Sequence, residues 1–300
     1  MRVSSLFKRD KTVLLLSLKR SSRNDTKTSC MVRYDHRSHA GNAGDVWKHF
    51  LLAEAADCLL QNSPRLIYAE SHCGRPYYLL RDPGEWEGGI GRIRHLLPLL
   101  KDFSYFRILS DLNPSFAPST PGLLYPGSAR LIYELALRRS AELQADIWDL
   151  DPEVADSWRH FLSPEASAMI RRHPEICFHP SDGFSGVLSH LSLLSCRSSP
   201  GLLFIDPPYV EAQDAPLAKR LLQKALDRGW IVLWWYMTDM MTVPAEMNSL
   251  ELEFAPVGLE GGRWKGAGVA LAGPNGQTRD RIRQWLHRRS RQLIRILKSD

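Results

Sequence analysis

Apolar residues along this chain follow two rhythms, a helical spacing and short unbroken runs, and the two alternate. Val46, Phe50, Ala53, Ala56 and Leu60 recur at helical spacing and predict a helix over 45–60, with Asn42 or Asp45 placed to cap it. The apolar run at 65–69 predicts a strand, closed by the loop Glu70-Ser71-His72-Cys73-Gly74. Further helices are predicted over 131–138, 152–162, 184–194 and 215–226, and further strands over 145–148, 176–178, 201–205 and 230–236. Strands alternating with helices of this length predict an α/β fold, a mostly parallel sheet with helices on both faces. Residues 75–121 break the rhythm. They are polar, punctuated by Pro and Gly, and too long for an ordinary strand-to-helix loop. With a helical piece over 90–100, they predict a small, mostly helical subdomain inserted at about 76–122.

Composition narrows the picture. Three hundred residues, 44% of them apolar, suit one large domain with a sizeable core. No apolar run approaches the ~18–20 residues that span a bilayer. Val13-Leu14-Leu15-Leu16 is too short for a secretory core and lacks a small-residue cleavage site, so a cytoplasmic protein is expected. The five cysteines are scattered without a CxxC pair, which predicts reduced thiols rather than disulfides or a zinc site.

The net charge of +6 is confined to the ends. Residues 1–30 and 279–300 each hold eight Lys/Arg against two Asp, +6 apiece, which leaves the body at −6. Residues 1–30 read as a disordered basic tail, or as an extension upstream of a start at Met31. A basic helix over about 279–298 has two compatible readings: an apolar stripe of Ile282, Trp285, Leu286, Leu293 and Leu297 packed on the core, or a phosphate-gripping surface.

The sharpest chemical signal is Asp206-Pro207-Pro208-Tyr209, directly after the strand 201–205. Ligands bind at the C-terminal ends of parallel strands. Two prolines offer no N–H, so the Asp206 carboxylate and the Pro207 carbonyl present acceptors only. That arrangement suits an exocyclic amine, whose two N–H groups must be held for its lone pair to turn towards an electrophile. Tyr209 offers a flat face for a base.

With its neighbours, this motif resembles the ribosomal RNA large subunit methyltransferase J family. The likeness runs through Met31-Val32-Arg33-Tyr34-Asp35-His36-Arg37-Ser38-His39-Ala40-Gly41-Asn42, then Asp45, Lys48, His49, His72-x-Gly74, Glu87-Gly88, Tyr125-Pro126-Gly127-Ser128, Asp182-Gly183-Phe184 and Asp206–Tyr209. The resemblance implies a Rossmann-like methyltransferase domain over 31–300 that takes S-adenosylmethionine and methylates N6 of an adenine in 23S ribosomal RNA. The adenine would be unpaired or flipped out. It implies catalytic roles for Asp206, Pro207, Tyr209, Tyr34 and Lys48. It implies cofactor contacts from Lys48, His49, His72, Gly74, Ser128, Asp149, Asp182, Gly183 and Asp206. Asp149 stands where the family has Glu. His36 and His39 form an HxxH pair without a third ligand at metal spacing, so no metal is expected, and the chain is expected to act as a monomer.

One departure bears on activity. The family's cofactor loop reads His-x-Gly-x-Gly-Arg-Tyr, whereas this chain has His72-Cys73-Gly74-Arg75-Pro76-Tyr77-Tyr78. Proline fixes φ near −65° and removes a donor, so cofactor affinity should fall if that position needs positive φ or an N–H contact, and change little if it lies past the contact. A non-catalytic RNA- or ribosome-binding protein on the same scaffold therefore stays open and, because Asp-Pro-Pro-Tyr does not distinguish RNA from DNA, so does a DNA adenine-N6 methyltransferase.

Overall fold

The computed structural model describes residues 38–81, 83–114, 122–163, 175–193, 201–243, 247–274 and 276–299. The basic segment 1–30 and the candidates Tyr34 and His36 lie outside them. The described chain forms α1 (Ala43–Leu60), β1 (Arg65–Glu70), β2 (Tyr77–Leu80), α2 (Ile90–Ile93), α3 (Ser104–Leu112), β3 (Leu123–Pro126) and α4 (Ser128–Arg139). There follow β4 (Glu142–Trp148), α5 (Pro152–Phe161), β5 (Glu175–His179), α6 (Gly183–Leu193), β6 (Gly201–Ile205) and α7 (Asp214–Asp227). The chain closes with β7 (Ile231–Met237), β8 (Asn248–Glu253), β9 (Gly266–Ala272) and α8 (Gln277–Lys298).

Seven strands make one sheet in the order β5-β4-β1-β6-β7-β9-β8. All run parallel except β9, which is antiparallel to both neighbours. Side-chain alternation sorts each strand between two cores. In β6, Leu202 and Phe204 join the face packed by α1, while Leu203 and Ile205 join the face packed by α6 and α7. The predicted parallel sheet with helices on both faces is what forms. Between β2 and β3, a small antiparallel pair, lie α2, single 3-10 turns and α3. The sequence pattern predicts neither of these strands, nor α3, β8 or β9.

α1 is buried along its whole length, because α3, α4, α8 and β9 pack around it. Its charged residues, Asp45, Lys48, Glu54 and Asp57 among them, are buried with the apolar ones. Asn42 caps it, its Oδ1 accepting from the Asp45 N–H at 2.8 Å. Within this helix sits Glu54, fully buried, and it gathers three elements. Its carboxylate accepts from Arg289 Nε at 2.8 Å and Trp285 Nε1 at 3.0 Å, both on α8, and from the Ser104 N–H at 2.8 Å at the start of α3. The basic C-terminal helix is thus fastened to the core by a buried acid as well as by its apolar stripe.

Removing one member of a buried charge pair strands the other. Glu54→Ala is expected to cost about 3–5 kcal/mol in urea unfolding, the range for such losses. A cost below about 1 kcal/mol would show that the acid does not organise α1, α3 and α8.

Candidate active site

β1 and β6 are neighbours whose chains leave in opposite directions, β1 towards β4 and β6 towards β7. Ligand crevices in open α/β sheets form at such a switch point. A cavity of about 480 Å³ opens there, lined by the loops after β1, β4 and β6 and by the first turns of α1 and α6.

On the β6 side, Asp206, Pro207 and Pro208 line the cavity. The Asp206 carboxylate is fixed by Lys48, whose Nζ lies 2.7 Å from Asp206 Oδ2 and 2.9 Å from Asp45 Oδ1. Asp45 is held in turn by the Gly41 N–H at 2.8 Å. Burial alone would lower the Lys48 pKa; the charges and hydrogen bonds of Asp206 and Asp45 outweigh it and hold the ammonium above its ordinary value. Lys48 also lies over the Trp235 ring, 5.2 Å from its centroid.

Tyr209 behaves differently. Its backbone adopts φ 54°, a left-handed conformation unusual for an aromatic residue. Its hydroxyl accepts from Trp234 Nε1 at 2.6 Å and donates to the Trp235 carbonyl, and its ring does not line the cavity.

On the β1 and β4 side, Gly74 has φ 59° and donates its N–H to Asp149 Oδ2 at 3.0 Å. Asp149 Oδ1 accepts from the Asp151 N–H at 2.8 Å. His72 packs edge-on against Phe184 at 4.8 Å, and burial lowers its pKa to about 4 against the pull of Asp182, so the imidazole is neutral at pH 7. Asp182 caps α6 by accepting from the Ser185 N–H at 2.8 Å. Burial would raise the Asp182 pKa, but the bonds from Ser185 bring it below the usual carboxylate range. Gly183 is required by packing, since a Cβ there would sit 1.6 Å from the Ser71 carbonyl oxygen. His49 lines the cavity, with Nδ1 2.8 Å from the Tyr125 hydroxyl.

Two expectations change in detail. Ser128 lines the cavity, but its hydroxyl donates to Glu70, the buried acid ending β1, which also accepts from the Tyr68 hydroxyl at 2.8 Å. Pro76 lies outside the cavity lining. Its carbonyl accepts from the Gly127 N–H at 3.1 Å, extending the β2–β3 pair. The glycine whose φ is positive is Gly74, which this chain retains.

The rim holds residues that sequence reasoning missed. Glu85 accepts from Asn42 Nδ2 at 2.9 Å and pairs with His39 at 2.8 Å, joining the segment before α2 to the start of α1. Arg263 and Trp264, in the β8–β9 loop, line the cavity with the guanidinium 4.5 Å from the indole centroid. An Arg-Trp pair between glycines was the available signal.

Residues 63–257 match the family model described as Ribosomal RNA large subunit methyltransferase D, RlmJ. Two curated relatives carry the name Ribosomal RNA large subunit methyltransferase J. That of Escherichia coli (strain K12) is 28% identical over 232 residues, 74% of this chain and 76% of its own. That of Haemophilus influenzae is 27% identical over 214 residues, 68% of this chain and 70% of its own. A solved Legionella pneumophila protein, described under the family model DUF519, shares the fold with a TM-score of 0.60 at 22% identity, covering 84% of this chain and 93% of that one.

Burial pushes the Glu70 carboxyl up to about 8, against the hydrogen bonds from Ser128 and Tyr68. A carboxyl raised in the folded state stabilises fully below its unfolded value and loses that contribution as pH rises through the folded one. Wild type should therefore weaken relative to Glu70→Gln, which cannot ionise, by more than about 1 kcal/mol between about pH 5 and about pH 9 in urea unfolding. Parallel pH profiles for the two would contradict the assignment.

Proposed function

The chain belongs to the ribosomal RNA large subunit methyltransferase J family, and on that premise we propose that it transfers the methyl group of S-adenosylmethionine to N6 of an adenine in 23S ribosomal RNA. The observation that carries the proposal is the acceptor-only loop Asp206-Pro207-Pro208 facing one cavity with Gly74, Asp149 and Asp182.

The donor set fits the cofactor. Asp149 at the end of β4 suits ribose hydroxyls, Asp182 an adenine amine, and Gly74 a close backbone approach. The neutral His72, His49 and the Ser128–Glu70 pair complete that wall. When bound, S-adenosylmethionine supplies a methyl carbon made electrophilic by its sulfonium.

The rest falls to this chain. The adenine amine donates its two N–H groups to the Asp206 carboxylate and the Pro207 carbonyl, which turns its lone pair out of ring conjugation. Lys48 keeps that carboxylate in one orientation. Positive charge grows on N6 as the bond to methyl forms, and Asp206 both stabilises it and accepts the departing proton. Catalysis is mostly positioning. Tyr209 stacks on the base once it leaves its hydrogen bonds on β7, while Arg263 and Trp264 offer a cation and a flat face to a flanking nucleotide. The adenine enters unpaired or flipped out. We read 31–300 as one methyltransferase domain with an insertion at about 76–122, acting as a monomer in the cytoplasm. No helix among the described residues is long and apolar enough to cross a membrane.

Radiolabelled methyl transfer to unmodified 23S ribosomal RNA tests this. Asp206→Asn should lower kcat by roughly 100-fold or more, the scale of one lost oriented acid–base group, with S-adenosylmethionine Kd within about threefold. Wild-type turnover by Asp206→Asn would refute the role given to that residue. Label appearing in DNA and not in RNA would refute the substrate.

A further inference from the structure

Away from the cavity, at the β5 edge of the sheet, a second cluster of reactive side chains gathers under α6. β4 and β5 pair in register, Asp146 opposite Cys177 and Trp148 opposite His179. Residues two apart on a strand face the same way, so Asp146, Cys177 and His179 share one face. A carboxylate oxygen, the thiol sulfur and an imidazole nitrogen of these three all lie within 4.8 Å of one another. α6 brings a fourth group from above. His190 Nε2 is 3.3 Å from Asp146 Oδ2, while His179 Nε2 is 2.8 Å from Asp146 Oδ1.

A carboxylate bridging two imidazoles would by itself be an ordinary polar network. Two observations point further. His190 Nε2 is buried and makes no hydrogen bond among the described residues, despite its distance from Asp146. A buried nitrogen left in that state needs an explanation, an ion being one. A thiol, which such a network does not need, stands beside the pair as a further ligand atom. The rings are also held in place: Trp148 stacks on His179 at 4.5 Å and meets His190 edge-on at 5.4 Å.

We propose that Asp146, Cys177, His179 and His190 form a binding site for a divalent transition metal, Zn²⁺ in the first place. Nitrogen, thiolate and carboxylate ligands suit zinc and exclude calcium and magnesium, which take oxygen shells. In a tetrahedral zinc site the ligand atoms stand roughly 3.3–3.7 Å apart, given bond lengths near 2.0–2.3 Å. The ligand atoms of Asp146, Cys177 and His179 need to close by up to about 1.5 Å from a 4.8 Å spread, and His190 joins them through its 3.3 Å approach to Asp146. On binding, the Cys177 thiol proton passes to solvent and the sulfur bonds the metal as thiolate; nothing is oxidised or reduced. Four protein ligands leave no open position, so the site is structural and not catalytic. It would staple the edge strand β5 to β4 and to α6, whose first residues, Gly183 and Phe184, form part of the cavity wall.

The test uses the full chain, stripped with a chelator and titrated with Co²⁺ and then Zn²⁺. One equivalent of Co²⁺ should give tetrahedral visible bands with a thiolate-to-cobalt charge-transfer band, and Zn²⁺ should displace it. Cys177→Ser, a change at an exposed thiol, should abolish the charge-transfer band while the circular dichroism stays native. His190→Gln should weaken Co²⁺ binding by at least about tenfold. Zn²⁺ should raise the Tm of wild type and leave that of Cys177→Ser unmoved. No saturable one-equivalent binding, or a spectrum unchanged in Cys177→Ser, would overturn the proposal and leave the cluster as a His–Asp–His polar contact.

Discussion

One buried ammonium holds the two ends of the site together. Lys48 leaves water to sit between Asp45, one turn before it on α1, and Asp206, at the tip of β6. The charges and hydrogen bonds of the two acids outweigh the burial of that ammonium, and pairing with both ties α1 to the acceptor loop. Much of the fold serves this placement. α1 can carry a charged site only because it is fixed on every side, by apolar packing and by the Glu54 hub that binds α3 and α8 to it. The motif at the start of α1 and the Asp-Pro-Pro-Tyr loop, far apart in the chain, are one constellation.

The wall proposed to hold the cofactor rests on backbone geometry. Gly74 supplies the left-handed turn and aims its N–H at Asp149, and Gly183 lets α6 begin directly against the Ser71 carbonyl. Pro76 falls just beyond, next to the short ladder that β2 makes with β3, where its carbonyl accepts from the Gly127 N–H outside the cavity lining. A non-catalytic role was motivated by that proline, and the motive goes with its position.

The alternation of helix and strand and the Asp206–Tyr209 motif were plain in the sequence because each depends on local pattern. The strands β1, β6 and β7 are buried on both faces or nearly so, and unbroken apolar runs announce them, while β4 is announced by the shorter stretch around Asp146. β9 was hidden because Gly and Ala, weak in strand preference, fill five of its seven positions, and the close approach of Leu252 and Tyr236 demands glycine at 266 and 268. β8 and α3 did carry readable signals, an alternation at Leu250 and Leu252 and a helical period at Tyr105, Ile108, Leu109 and Leu112. α3 falls inside the insertion expected to be mostly helical, beyond its one helical piece over 90–100, and β8 falls after the last predicted strand. The Asp146, Cys177, His179 and His190 cluster was beyond spacing rules, since strand register and a covering helix assemble it from three elements.

The central claim is that both halves of a methyl-transfer site stand intact in this chain. Calorimetry with S-adenosylmethionine on wild type and Pro76→Gly tests it most directly. The account predicts saturable one-site binding by the wild-type chain, with an affinity that the glycine changes by less than about threefold. No binding by wild type, with binding restored in Pro76→Gly, would contradict it.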